Sequence, residues 1–327
     1  MRDFKYVVPR DLSDALEHGK AAESRFVAGG TLLVDLLRLD VERPESLIDL
    51  NAVLSSEISW DARGLTVGAA ARNTELAYHD QVATEMPVLS EALLSGASPQ
   101  LRNMASVGGN LMQRTRCAYF RDVGVEACNK RKPGSGCAAL EGYSRMHAIL
   151  GVSDKCIAAH PSDMCVALLA LDALVRTKKR SGARELLLAD LHTLPGDHPE
   201  VETQLEPGEI ITEVFVPRSA FARRSAYVKS RDRASYAFAL ASAAVALQLD
   251  GEQIKTVRIA LGGVGSKPWR ALEAEAALVG KPATRESFHA AAQLSLNGAR
   301  VTADNEFKLK LTPRVVVAAL ESARRKS

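Results

Sequence analysis

The chain has 327 residues, enough for more than one domain and for a sizeable buried core. Hydrophobic residues make up 46% and charged residues 25% of the sequence, a globular balance that excludes a disordered or fibrous chain. The 42 lysines and arginines nearly balance the 39 acidic residues, so the net charge of +3 disfavours nucleic acid as a partner. No apolar run reaches the roughly 18 residues of a membrane-spanning helix, so membrane insertion is not expected.

The first 55 residues predict an N-terminal subdomain of the βαβ type. The segments FKYVVP and RFVAGGT have strand character, and residues 12–20 and 32–39 carry apolar residues at helical spacing. The segment SLIDL predicts a short closing strand. Strands and helices therefore alternate in this part of the chain.

Residues 56–220 predict a second subdomain, and residues 221–327 predict a C-terminal domain. In the second subdomain we expect a hairpin turning at 61–64, a helix near 86–96, a helix and strand in HPSDMCVALLALDALVRT, and a strand in EIITEVFVP. The C-terminal domain starts with a strand containing Lys229 and continues with small residues, a turn at Asp250-Gly251 and the strand KTVRIALGGV. Because strands and helices are mixed without a regular βαβα rhythm, the sequence predicts an α+β fold.

All five cysteines lie between residues 117 and 165. Their odd number, the chain length and the lack of an export signal disfavour a disulfide framework. Cys165 lies in the apolar stretch CVALLALDALV, which predicts a core residue. The other four lie in polar sequence that cannot pack a core alone, and we expect them to bind a metal or an iron–sulfur cluster: Cys117, Cys128, Cys137 and Cys156. Their wide spacing makes zinc the second choice, and reduced cysteines in a solvated loop stay open.

The sequence around these four cysteines is strongly basic. A positive surrounding would favour an anionic cluster. The basic residues are Arg114, Arg116, Arg121, Lys130, Arg131 and Lys132.

Two glycine pairs and one tetrapeptide are candidate ligand-binding segments. In FVAGGTL the glycines follow a strand and open a helix, which suits a pyrophosphate, although a tight turn explains the pattern equally well. The segment ASVGGNL places hydroxyl and amide donors beside a second pair. In His160-Pro161-Ser162-Asp163, a helix start with Pro161 in its first turn competes with a role for Asp163 at a ribose or flavin.

Taken in order, FVAGGT, ASVGGNL, HPSDM, EIITEVFVP and the strand with Lys229 resemble the FAD-binding subunit of the xanthine dehydrogenase family of molybdenum hydroxylases. The resemblance covers nearly the whole chain. It implies a PCMH-type fold in which two α+β subdomains clasp FAD, followed by a C-terminal domain with a three-stranded antiparallel sheet and helices. The cysteine-bearing insertion at about 112–158 resembles the 4Fe-4S-carrying form of this subunit, as in bacterial periplasmic aldehyde oxidoreductases.

The resemblance also implies roles for individual residues. The first glycine loop would wrap the FAD pyrophosphate through Val27, Ala28, Gly29, Gly30, Thr31, Leu32 and Leu33. The second loop would contact the dinucleotide through Ala105, Ser106, Gly109 and Asn110, with Ala105 standing where many members have threonine. Asp163 would hold a ribitol or ribose hydroxyl, and Ile211 and Lys229 would lie beside the flavin ring. The 4Fe-4S ligands would be Cys117, Cys128, Cys137 and Cys156.

In the family, a large subunit with the molybdenum cofactor oxidises the substrate, and a small subunit with 2Fe-2S clusters relays electrons to the flavin subunit. The resemblance therefore implies that this chain passes electrons to FAD and an external acceptor. A stand-alone flavin oxidase and a zinc-stabilised interaction module remain as alternatives. The N-terminus lacks an apolar signal region, so we expect folding in the cytoplasm, with export beside a signal-bearing partner left open.

Overall fold

A computed structural model describes residues 1–326 as a mixture of strands and short helices. The strands are β1 (Lys5–Val7), β2 (Ser24–Val27), β3 (Ser46–Asp49), β4 (Ile58–Trp60), β5 (Gly64–Gly68), β6 (Leu174–Lys179), β7 (Gly182–Leu187), β8 (Ile210–Pro217), β9 (Ser225–Ser230), β10 (Ala241–Asp250), β11 (Gln253–Gly262) and β12 (Trp269–Arg270). The helices are α1 (Leu12–His18), α2 (Leu33–Arg38), α3 (Asn73–Ala77), α4 (Asp80–Glu85), α5 (Pro87–Ser95), α6 (Pro99–Met104), α7 (Val107–Leu111), α8 (Ala118–Arg121), α9 (Asp163–Ala170), α10 (Leu188–Leu191), α11 (Leu272–Leu278), α12 (Arg285–Leu294) and α13 (Lys308–Arg324). The α+β class is confirmed. Over this part of the chain, no helix has the length and apolar character needed to cross a membrane.

The N-terminal sheet is parallel and has the order β1-β3-β2. The side chain of Asp11 caps α1 by accepting a hydrogen bond from the backbone N–H of Asp14. Ala15 and Leu16 of this helix pack with Ile48 of β3 in a small core. The chain leaves β2 at Val27 and enters α2 at Leu33, so the first glycine loop lies at the end of this sheet.

A five-stranded antiparallel sheet with the order β4-β5-β8-β6-β7 forms the middle of the chain. The predicted hairpin is present as β4 and β5, where the Asp61 carboxylate accepts from the backbone N–H groups of Arg63 and Gly64. Helix α9 is buried along its whole length and packs against β10 and β11. Its cap is Ser162, whose hydroxyl accepts from the N–H of Cys165, so the expected position of Pro161 in the first helical turn is wrong.

The C-terminal sheet is antiparallel and has four strands in the order β12-β11-β10-β9, so the expectation of three strands is wrong. The additional strand, β12, has only two residues, which pair with Ala260 and Leu261. Two residues after Pro268 carry no recognisable strand pattern, because their pairing is decided by the partner strand. Helices α11, α12 and α13 cover one face of this sheet.

Candidate functional site

The first glycine loop is held in place by its contact with the segment before α7. A Cβ atom on Gly29 would lie 1.9 Å from the carbonyl oxygen of Met104, so only glycine fits there. Gly30 has a φ of +67°, in the left-handed region that favours glycine. The two positions therefore require glycine for different reasons. At residue 29 the backbone of Met104 lies too close for a side chain, and at residue 30 the φ angle is positive.

Two polar side chains outside the motifs connect the glycine loops, and the sequence analysis missed both. Asn51 donates from its amide to the carbonyl of Ala28 at 3.1 Å, and its own side-chain oxygen accepts from Arg72 at 3.0 Å. Arg72 also donates to the carbonyl of Met104 at 2.7 Å. Neither residue has a sequence signal, because its role depends on which loops the fold brings together.

The second glycine loop caps α7 and contacts the HPSD segment. The hydroxyl of Ser106 accepts from the N–H of Gly109 at 3.2 Å. The side-chain oxygen of Asn110 accepts from the hydroxyl of Ser162 at 2.6 Å. These contacts place residues that are about fifty positions apart in the sequence side by side.

The glycine loops border a cavity of about 770 Å³. Ten of the predicted flavin-site residues line it: Val27, Ala28, Gly29, Gly30, Thr31, Leu32, Leu33, Ser106, Gly109 and Ile211. Four predicted residues do not line it: Ala105, Asn110, Asp163 and Lys229. The carbonyl of Ala105 accepts from the N–H of Asn73 instead.

Asp163 and Lys229 are brought together as a buried ion pair. The ammonium of Lys229 lies 2.8 Å from a carboxylate oxygen of Asp163 and donates to the carbonyl of Ser95 at 3.1 Å. The hydroxyl of Tyr227 donates to the other carboxylate oxygen. Burial, together with the negative charge of Asp163, raises the pKa of Tyr227 well above its usual value.

The large cavity fits FAD in size and in the character of its walls. Its volume lies within the range of cofactor sites, and a dinucleotide needs backbone to approach its phosphates closely, which the two glycine pairs permit.

One part of the rim is charged. Arg114 contacts Glu42 and Glu202 at 2.5 and 2.7 Å, and Lys130 contacts Glu202 at 2.8 Å. Burial opposes the ionisation of Glu202, but these cations hold its pKa below the usual value.

The four cysteines predicted to bind metal line a second, small cavity together. Cys128 and Cys137 face each other across an isolated antiparallel bridge. Burial raises the pKa of Cys117 to about 12 and that of Cys156 to about 11. Four cysteines around one cavity are the ligand set of an iron–sulfur cluster, whereas their sulfurs are not gathered as closely as four thiolates on a single zinc ion would be.

Most of the basic residues near the cysteines have partners within the chain. Arg116 and Arg121 contact Asp35, and Arg131 donates to carbonyl groups of the same segment. The guanidinium of Arg114 stacks 4.6 Å from the ring centre of Phe120. Arg116 and Arg121 therefore fasten the cysteine-bearing segment to α2, and Arg131 stabilises the segment from within.

His147 and His192, which the sequence analysis had not marked, and His160 of the marked HPSD segment lie at or next to these cavities. His147 Nε2 is 3.1 Å from the sulfur of Cys117. His160 and His192 line the large cavity, with ring centres 4.5 Å apart. Burial lowers the pKa of both rings, and the neighbouring ring of His192 lowers the pKa of His160 further, so both are neutral at pH 7.

Cys165 is fully buried, which confirms the prediction of a core position.

Comparisons with known proteins identify the family of the chain. The family described as the FAD binding domain in molybdopterin dehydrogenase matches residues 2–219, and the CO dehydrogenase flavoprotein C-terminal domain matches residues 225–323. The aldehyde oxidoreductase FAD-binding subunit PaoB of Escherichia coli is 49% identical over 99% of both chains. The glyceraldehyde dehydrogenase medium chain of Sulfolobus acidocaldarius is 27% identical over 85% of this chain and 82% of its own length.

A solved structure shares the fold over almost the full length. Quinoline 2-oxidoreductase from Pseudomonas putida 86 superposes with a TM-score of 0.76 over 99% of this chain and 98% of the compared chain, at 25% identity. The family matches span both halves of the molecule, and the 49% relative spans all of it. The chain therefore belongs to the FAD-binding medium subunits of the xanthine dehydrogenase family of molybdenum hydroxylases and is an oxidoreductase subunit of the aldehyde oxidoreductase type.

Proposed function

We propose that this chain carries both FAD and one 4Fe-4S cluster and is the electron exit of a heteromeric, aldehyde-oxidising complex. Its partners in that role are a large molybdenum-cofactor subunit and a small subunit whose 2Fe-2S clusters deliver the electrons, which then pass to an external acceptor. The observation that carries the proposal is a shared wall: Lys130, Cys156 and Ala158 line both the large cavity and the cysteine cavity. Two redox groups on either side of one wall suit electron transfer better than substrate chemistry.

For FAD, we assign the pyrophosphate to the first glycine loop, residues 27–33, and further dinucleotide contacts to Ala105, Ser106, Gly109 and Asn110. The glycine pairs support this assignment, because backbone N–H groups without a neighbouring side chain can approach phosphate oxygens closely. Ile211 lies on the cavity wall and would pack against the flavin ring. When bound, FAD exchanges electrons with both one-electron and two-electron partners.

In this proposal Asp163 and Lys229 act on the flavin as a pair, although neither of them lines the large cavity. A carboxylate has about four acceptor positions, so Asp163 can bind a ribitol hydroxyl while it accepts from Tyr227 and Lys229. The pair also fixes the side-chain nitrogen of Lys229 in position. A fixed positive charge near the ring favours the reduced, anionic form of a flavin.

For the cluster, we assign Cys117, Cys128, Cys137 and Cys156 as ligands and exclude Cys165. The four assigned thiols line one cavity, whereas Cys165 is buried in α9 among apolar residues. The cysteine-bearing segment has one helix of only four residues, so ligation would supply much of its folding energy. A bound cluster exchanges electrons one at a time.

Metal and flavin analysis of the purified chain tests this assignment against the alternatives. We expect about four iron and four sulfide per chain, with FAD that acid precipitation releases. One zinc without sulfide would instead support the interaction module. Recovery of FMN, or of protein that binds no flavin, would refute the flavin assignment.

Activity measurements test the place of the chain in the complex. The isolated chain should not oxidise aldehydes, and the other two subunits without it should still be reduced by substrate but fail to turn over with the external acceptor. A single chain that oxidises aldehydes as fast as the complex would identify a stand-alone oxidase. In that case the neutral rings of His160 and His192 on the cavity wall would be the candidate bases.

A further inference from the structure

His147 contacts the cysteine cavity from outside it. The side chain is buried, and its Nε2 atom lies 3.1 Å from the sulfur of Cys117. The other ring nitrogen, Nδ1, is also buried and has no hydrogen-bond partner among residues 1–326. The contact with sulfur is therefore the one side-chain hydrogen-bond contact that the ring makes within that range, and a backbone group of Ser144 is its other polar neighbour.

The backbone of His147 is held by the C-terminal domain. The ammonium of Lys308, a fully buried residue, donates to the carbonyls of His147 and Gly263 at 2.8 and 2.7 Å. The N–H of the next residue, Ala148, donates to the carbonyl of Ile157 at 2.9 Å. The N–H of His147 donates to the carbonyl of Ser144 at 2.9 Å, so the backbone is held on both sides of the His147 Cα and the imidazole is preorganised to point at Cys117.

A sulfur bound to iron carries no proton and can only accept a hydrogen bond. To form a hydrogen bond with this sulfur, the imidazole must therefore donate through a proton on Nε2. An N–H group near the sulfur stabilises the cluster more after one-electron reduction, because the added negative charge lies partly on the sulfurs. Hydrogen bonds to the sulfurs are among the factors that set the potential of such clusters.

We propose that His147 is a positioning residue that donates an N–H···S hydrogen bond to Cys117 and thereby raises the reduction potential of the 4Fe-4S cluster. This inference rests on the proposed ligation of the cluster by the four cysteines. Cys156, by comparison, receives a longer hydrogen bond from the backbone N–H of Ala158, at 3.4 Å. The side chain of His147 is therefore the shorter of these two contacts and the one that mutation can remove.

The experiment is a redox titration of the holo chain, with dithionite as the electron donor, dye mediators and EPR detection of the reduced cluster. The variants are His147→Ala, His147→Gln and, as a control on an exposed helix position, His289→Ala. Iron and sulfide are measured for each. We expect His147→Ala to keep its iron and to favour the reduced state about tenfold less, which corresponds to 59 mV for a one-electron couple.

His147→Gln should recover most of the wild-type potential, because its side-chain amide can donate from nearly the same place as Nε2. The His289→Ala control should match the wild type. A wild-type potential in iron-replete His147→Ala, or a Gln variant as low as the Ala variant, would overturn the inference. If the wild-type chain contains no cluster, it is the proposed ligation that fails.

Loss of iron in the Ala variant would still leave a decisive measurement. Wild-type protein labelled with ¹⁵N-histidine should show a weak nitrogen hyperfine coupling in pulsed EPR of the reduced cluster. The His147→Gln variant, labelled in the same way, should lack it. Absence of the coupling in the wild type would refute the hydrogen bond.

Discussion

Replacing Gly29 with alanine should release FAD and leave the cysteine cavity unchanged. The added Cβ atom would lie 1.9 Å from the carbonyl oxygen of Met104 and 2.7 Å from its carbonyl carbon. Both are backbone atoms, so no side-chain rotation relieves the clash. Non-bonded heavy atoms in contact are roughly 3.5 Å apart, so one glycine loop must move by ~1.5 Å relative to the other.

Such a movement is large for a hydrogen-bonded site. Each hydrogen bond between a backbone N–H and a charged phosphate contributes about 1.5–3 kcal/mol, and each 1.4 kcal/mol corresponds to a tenfold change in affinity. Loss of one such bond should weaken FAD binding at least tenfold. The change also affects Arg72, which donates to the same carbonyl of Met104.

The measurement is the FAD dissociation constant of the purified chain, together with its iron content. Gly124→Ala is the matched control, because this exposed glycine lies outside the left-handed region and its added Cβ would meet only a side-chain oxygen of Asp122, at 3.1 Å. The control should bind FAD normally. Gly29→Ala with a wild-type dissociation constant would refute the assignment of the loop to the pyrophosphate.

Changes at the cysteines, at Glu209 and at Lys229 should have separable effects. Cys128→Ser should lose iron and sulfide, whereas Cys165→Ser should retain both in the same analysis. Burial opposes the ionisation of Glu209, but hydrogen bonds from Arg184 hold the pKa of this carboxyl at about 2 instead of 4.5. The ionised form therefore contributes about 3 kcal/mol to the free energy of unfolding above pH 4.5, and this contribution is lost as the pH falls to 2. Glu209→Gln should therefore lower the urea midpoint at pH 7 and flatten the acid dependence, and an unchanged pH profile would contradict this. Lys229→Met should lower the flavin reduction potential in dye-equilibration titrations, and an unchanged potential would argue against a position beside the ring.

Local patterns predicted the elements that surround the site. The hairpin at β4 and β5 follows from a turn sequence between alternating residues, and α9 follows from the continuous apolar run after the HPSD segment, although its cap was not predicted. The glycine pairs were recognisable for the same reason: the first lies between β2 and α2, and the second lies in the first turn of α7. What these segments have in common is that their conformation is decided within about ten residues.

The contacts between these segments could not be predicted, because they depend on the tertiary fold. Arg72 and Asn51 connect two loops that lie far apart in the sequence, and nothing near either residue indicates this. His147 reaches Cys117 across thirty positions. The two-residue strand β12 exists because β11 offers it a partner. In each case the same residue type could have many different neighbours, and only the tertiary fold determines which neighbours it has.

The cysteine-bearing segment is held by all three parts of the molecule. Arg116 and Arg121 connect it to Asp35 of the N-terminal subdomain, Lys130 connects it to Glu202, and Lys308 of α13 holds the backbone of His147. A segment with little secondary structure cannot satisfy these contacts unless its own shape is fixed, and four thiolates on one cluster would fix it. Because Lys130 and Cys156 also line the large cavity, the ligation that orders this segment would shape one wall of the flavin site as well. On this argument the flavin site depends on the cluster through shared wall residues, independently of electron transfer between the two cofactors.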